Sequence, residues 1–128
     1  LGYWLGYNRS LAGQRVHDLL LVIAHLKARK DVKEVWLVAG EGAEPWSALA
    51  AIVAASELSK VAMSSAWKDF DFRQVDSPEH PMMLAGGAKY FRQQDLWKLL
   101  EATYSDSRLI QHPEAKPMEL VEGLLEKK

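Results

Sequence analysis

The sequence predicts an α/β fold in three layers, a small, mostly parallel sheet with helices on both faces. Three observations predict it. Val35-Trp36-Leu37-Val38-Ala39 is an unbroken apolar run, the pattern of a strand covered on both sides. Gly40-Glu41-Gly42-Ala43 follows at once and permits a tight turn, and Pro45 then opens an Ala- and Leu-rich helical stretch, Trp46 to Ala55. As far as the second strand the order is helix, strand, helix, strand with short connections, and parallel neighbours need such crossovers.

Taken in order, Leu1 to Tyr7 is short and aromatic and suits an edge strand or a loop packed on the core. Ser10 is placed to cap a helix over 11–29, in which Val16, Leu19, Leu20, Ile23 and Leu26 recur at helical spacing and leave Arg15, Asp18, Lys27 and Arg29 to water. His17 and His25 fall inside this helix on neighbouring faces. After the strand at 35–39, a second helix is expected over 45–58 and a second strand at Val61-Ala62-Met63. Trp67 to Gly87 has no sustained period and reads as a long irregular loop. Lys89 to Thr103 returns to helical character, Ser107 to Ile110 suits a third strand, and Pro117 opens a last helix reaching Glu126.

Composition bounds the class further. At 128 residues and 48% hydrophobic content, residues 1–128 are expected to form a single domain. The 16 basic and 17 acidic residues are interspersed and give a net charge of -1, which argues against a nucleic-acid partner. With no cysteine there is neither a disulfide, a thiolate metal site nor a cysteine nucleophile. No run approaches the roughly 18 apolar residues of a membrane span, so a soluble chain without a membrane partner is expected. The chain begins at Leu1 rather than Met, which suggests a mature product or a piece of a longer protein. The compartment stays open, secreted or periplasmic if a signal was removed.

Tyr7-Asn8-Arg9, Gln14-Arg15-Val16-His17-Asp18-Leu19, the strand and turn at 35–43 with Pro45-Trp46, and the later Pro81 to Tyr90 and Asp95-Leu96 together carry a resemblance. The chain resembles the α/β-hydrolase superfamily, and more narrowly the C-terminal half of its acetyl xylan esterase-like and dienelactone-hydrolase-like members. The resemblance covers roughly residues 7–110. It implies an esterase-type hydrolase, a small ester as substrate, and a nucleophile elbow of the form G-x-S-x-G that lifts a serine toward a histidine and an oxyanion hole. Laid on this chain, Ala39, Gly40, Gly42 and Ala43 match the small elbow residues and Glu41 takes the nucleophile position. A carboxylate can act as nucleophile through an ester intermediate, given a base for the second step. The competing reading is an elbow retained for its turn geometry alone.

His112, shortly after the expected third strand, and His80, in the long loop, are the candidate catalytic bases. Ser47 falls one helical turn too late for the elbow and reads as a packing residue. Asp69, Asp71, Asp76, Glu79 and His80 lack the spacing of a calcium loop and read as a solvated acidic segment, so no metal is expected. Gly40-Glu41-Gly42 lacks the third glycine of a dinucleotide fingerprint, and Glu41 would repel a pyrophosphate, so no cofactor is expected. Two functional classes remain: an esterase-type domain with a site near Glu41, Gly42, Ser64, Ser65 and His80, and a catalytically incomplete module serving structure or assembly. The family's earlier strands and oxyanion-hole loop are missing from this sequence, and a small sheet leaves edges that want a partner. Homo-oligomerisation, or association with an N-terminal portion, is expected.

Overall fold

The computed structural model describes residues 10–40, 42–77, 80–84, 87–90, 95–104, 107–112 and 116–126. Along the chain these form α1 (Leu11–Ala28), β1 (Trp36–Ala39), α2 (Glu44–Val53), β2 (Lys60–Ser64), a 3-10 turn (Phe72–Gln74), α3 (Gly87–Tyr90), α4 (Asp95–Thr103), β3 (Leu109–His112) and α5 (Pro117–Glu126). The expected segment Leu1 to Tyr7 lies outside the described residues. The strands form one parallel sheet in the order β1-β2-β3, so the α/β class predicted by the sequence is the one observed.

Register decides which side chain meets which layer. Leu37, Val61 and Leu109 align across the sheet, and Val38, Ala62 and Ile110 form the next row, which faces the other way. The first row joins a larger core with Ala48, Ala51 and Leu100; the second joins Leu120 and Leu124 of α5 in a smaller one. Parallel strands in sequential order, joined by right-handed crossovers, put both connecting helices on one face. Accordingly α4 and α1 both pack on α2, and among the described residues α5 covers the opposite face of the sheet. The β1 segment is less enclosed than its composition predicts. Val35 and Ala39 are buried, but Trp36, Leu37 and Val38 are only half-buried, because β1 ends the sheet on one side among the described residues.

Helix α2 is the centre of the thicker layer. Ala48, Ala50 and Ala51 are fully buried, and their short side chains let the helix backbone lie close to its neighbours. It stops at Val53 rather than at the expected residue 58, and residues 54–57 form turns. Tertiary contacts shorten it. Arg108 donates from its guanidinium to the carbonyls of Ala55, Leu58 and Ser59, while Tyr104 donates its hydroxyl to Ala51 O at 2.6 Å. The Arg108 guanidinium also lies 4.8 Å from the centre of the Tyr104 ring. On the opposite face Lys60 treats α5 likewise, donating to Leu124 O at 3.2 Å with its Nζ 4.9 Å from the Trp36 ring centre. Cations suit helix carboxyl ends, where unpaired carbonyls carry partial negative charge.

Other elements follow the sequence closely. Ser10 caps α1, its Oγ accepting from Gly13 N at 3.2 Å, and α5 spans the expected residues from Pro117. Strand β3 runs two residues later than its apolar composition indicates, through Gln111 and His112, because the ladder with β2 extends to Ser64. The expected helix over 89–103 is helical at both ends, in α3 and α4, with residues 91–94 outside the described set. The long loop contains the 3-10 turn at Phe72–Gln74, and Gly87 sits against it: a Cβ there would come within 2.8 Å of the Phe72 ring. Arg15, assigned to water by its helical position, instead lies 4.3 Å from the centre of the Trp46 ring. Among the described residues no helix is long and apolar enough to cross a membrane.

Tyr104 gives a test of the α2 contact. Burial pushes its phenol up to about 12, only partly offset by the nearby Arg108 charge. Because the folded value lies above the unfolded one, this stabilisation is complete below about pH 10 and is lost as pH rises toward the folded value. Tyr104→Phe should lower stability at neutral pH by about 1 kcal/mol and flatten the alkaline limb, read by urea denaturation at neutral and alkaline pH.

Candidate functional site

All three strands run the same way, so their carboxyl ends emerge on one edge, where α/β folds place their sites. Ala39 pairs in register with Met63, and Ser64 with His112, so Gly40, Ser64-Ser65 and the end of β3 lie along that edge. Of the expected site residues, Glu41 lies outside the described set. His112 is placed by its backbone, at the last position of β3.

The turn after β1 is built by its glycines. Gly42 has φ +89, a conformation that a side chain disfavours, and Ala43 N donates to Gly40 O at 3.2 Å to close the turn. Gly40 abuts α5: a Cβ there would lie 3.3 Å from Pro117 Cγ. The turn therefore passes between the first residues of α2 and α5, two helix N-termini with partial positive charge. Acidic side chains already stand there. Glu119 accepts from Lys116 N at 2.9 Å, and Glu44, in the first turn of α2, is buried with 4% exposure.

Two polar atoms near this edge stand out. Glu44 Oε2 and Trp67 Nε1 are both buried without a hydrogen-bond partner among the described residues. Trp67 follows the end of β2 and packs edge-to-face on Trp97 of α4, with ring centres 5.2 Å apart. Sequence reasoning missed both atoms. The acid before Pro45 signals a helix start, but nothing local signals that its carboxylate is enclosed. Ser47 is also buried, within α2, and its amide donates to Ala43 O at 3.1 Å.

At the end of β2, Ser64 Oγ accepts from Ala66 N at 3.2 Å, which turns the chain out of the sheet. Further along, Asp71 is buried and held by Arg73. Both its oxygens accept from the guanidinium, and Oδ1 also accepts from Arg73 N at 2.9 Å. The Arg73 side-chain hydrogen bonds, with that backbone amide, hold the Asp71 carboxyl below its usual range. Asp71 is thus a structural acid at the entry to the 3-10 turn. Among the described residues no group of three or more His, Asp or Glu side chains is gathered to hold a metal ion.

His80 is engaged in the same loop. Its Nδ1 accepts from Met82 N at 3.0 Å, its amide donates to Ser77 O at 3.1 Å, and its carbonyl accepts from Met83 N at 2.9 Å. With Nδ1 as acceptor, the neutral ring carries its proton on Nε2. A general base at His80 would have to give up the Met82 contact, whether it used Nδ1 itself or changed tautomer to free Nε2, and the familiar triad has Nδ1–H donating and Nε2 accepting. No protein-family model, no curated protein and no solved structure matches the chain.

Two substitutions test these assignments. Gly42→Ala forces a side chain into the left-handed region and should cost about 1 kcal/mol in thermal or urea unfolding, although no atom stands within 4 Å of the added Cβ. Asp71 has a folded pKa below its unfolded value, so its contribution is present above about pH 4 and is lost as pH falls through the folded value. Asp71→Asn should therefore lower the urea midpoint at pH 7 and narrow its difference from the parent chain in acid.

Proposed function

We propose that this chain is an α/β-hydrolase-like domain of esterase ancestry that retains the elbow as a turn and, by itself, does not complete an esterase site. The observation that carries this reading is the turn at 39–43. A parallel strand passes directly into a helix through Gly42 at φ +89, with Gly40 against Pro117 of the neighbouring helix, the kind of turn that lifts one residue off a sheet edge. The residue the sequence supplies at that point is Glu41 rather than serine.

Catalysis at such a turn needs more than a nucleophile. A Glu41 carboxylate that attacked an ester carbonyl would expel the alcohol and leave a mixed anhydride rather than an ester, and both steps need a proton donor or an activated water and donors for the developing oxyanion. His80 offers little help while its Nδ1 is held by Met82 N. These features favour a module whose sheet and elbow serve structure and assembly over a self-sufficient hydrolase. Hydrolysis of short-chain p-nitrophenyl esters by the purified chain tests the proposal, with Glu41→Gln, His80→Ala and His112→Ala alongside. The expected result is turnover no faster than buffer for all four proteins. Turnover abolished by Glu41→Gln would instead make this an active carboxylic-ester hydrolase with its site at the elbow, and dependence on either histidine would name the base.

A further inference from the structure

Between the carboxyl half of α1 and the end of α2 lies a groove of about 430 Å³. One wall is the carboxyl half of α1, with Ile23, Ala24 and Lys27; the other is the end of α2 and the turn after it, with Val53, Ala54 and Glu57. Val53 is 69% exposed, and Leu21, one helical turn before Ala24, is 57% exposed. Of these two, Val53 lines the groove, and an exposed apolar side chain at a groove is a feature of surfaces that are covered in use.

The charges are divided between the walls. Lys27 stands on the α1 wall and Glu57 on the α2 wall. Neither makes an ion pair among the described residues, and the Glu57 carboxylate accepts only a 3.3 Å hydrogen bond from the adjacent Ser56 hydroxyl. One wall is thus apolar with a cation and the other apolar with an anion, which makes the surface complementary to itself. A two-fold axis lying along the groove sets the α1 wall of one copy over the α2 wall of the other. Lys27 then meets Glu57 of the partner subunit at two equivalent places, and the Val53 side chains enter the apolar floor. An axis lying across the groove would set Lys27 against Lys27 and Glu57 against Glu57.

We propose that this groove is where two copies of the chain associate as a two-fold dimer. The inference is independent of esterase ancestry, since it rests on α1 and α2 and on nothing at the carboxyl edge of the sheet. Stable interfaces cover about 800 Å² on each partner, and the exposed lining of this groove supplies only a small part of that area, so the dimer is weak and its population follows concentration.

Sedimentation equilibrium of the full chain over a roughly hundredfold range of concentration tests it, with circular dichroism to check folding of each variant. The parent chain should show a reversible monomer–dimer equilibrium, and Val53→Glu, altering an already exposed side chain, should sediment as monomer. Lys27→Glu alone and Glu57→Lys alone set like charges together and should each weaken association by roughly tenfold or more. The double exchange, Lys27→Glu with Glu57→Lys, should restore it. A parent chain that stays monomeric throughout overturns the proposal. So does a dimer indifferent to Val53→Glu, or a double exchange no better than the single ones.

Discussion

The structure depends on how closely α2 is held against the sheet. Its buried alanines bring the helix backbone near the strands, and the same closeness would strand the carbonyls at its carboxyl end away from water. Arg108 and Tyr104, both from the chain entering β3, take up that end of the helix through the carbonyls of Ala51, Ala55, Leu58 and Ser59. The contact joins the first crossover to the last strand. Once α2 is seated, β1 and β2 have their spacing, α1 and α4 have a surface to pack on, and the turn at 40–43 is aimed at the first residue of α5.

The two edges of the sheet consequently differ in character. At the amino edge, basic side chains meet helix carboxyl ends on both faces, Arg108 on α2 and Lys60 on α5, so charge and backbone are matched. At the carboxyl edge the chain leaves β1 and β2 through tight turns, one of them at positive φ, and two buried polar atoms there, Glu44 Oε2 and Trp67 Nε1, have no partner among the described residues. Buried polar atoms are ordinarily satisfied. The first edge stabilises the fold, and the second carries whatever departs from simple packing.

The loop between β2 and α3 shows why residue type alone is a poor guide to a site. Asp71 and His80 both belong to types that perform chemistry, and both fall in an irregular segment next to the sheet edge. In the folded chain Asp71 is occupied by Arg73 and His80 by the Met82 amide, contacts two residues away in sequence that stabilise turns. Such local side-chain bonds are how polar residues organise loops that have no hydrophobic period.

The amino-acid order determined the class of fold, because hydrophobic period, glycine and proline placement and helix caps are local: the unbroken run at 35–39, Pro45, Ser10 and Pro117 each mark their element with little help from elsewhere. It also placed the strand β1, the turn after it and the start of α2. Only the tertiary structure decided where α2 stops, since Arg108 reaches back from about 50 positions away to take its carbonyls, and how far β3 extends, since its ladder is set by β2. It likewise decided that Glu44 is enclosed and that Lys27 and Glu57 share one groove without pairing. Burial and the meeting of distant residues depend on how helices pack, and a linear pattern records only which face each side chain is on.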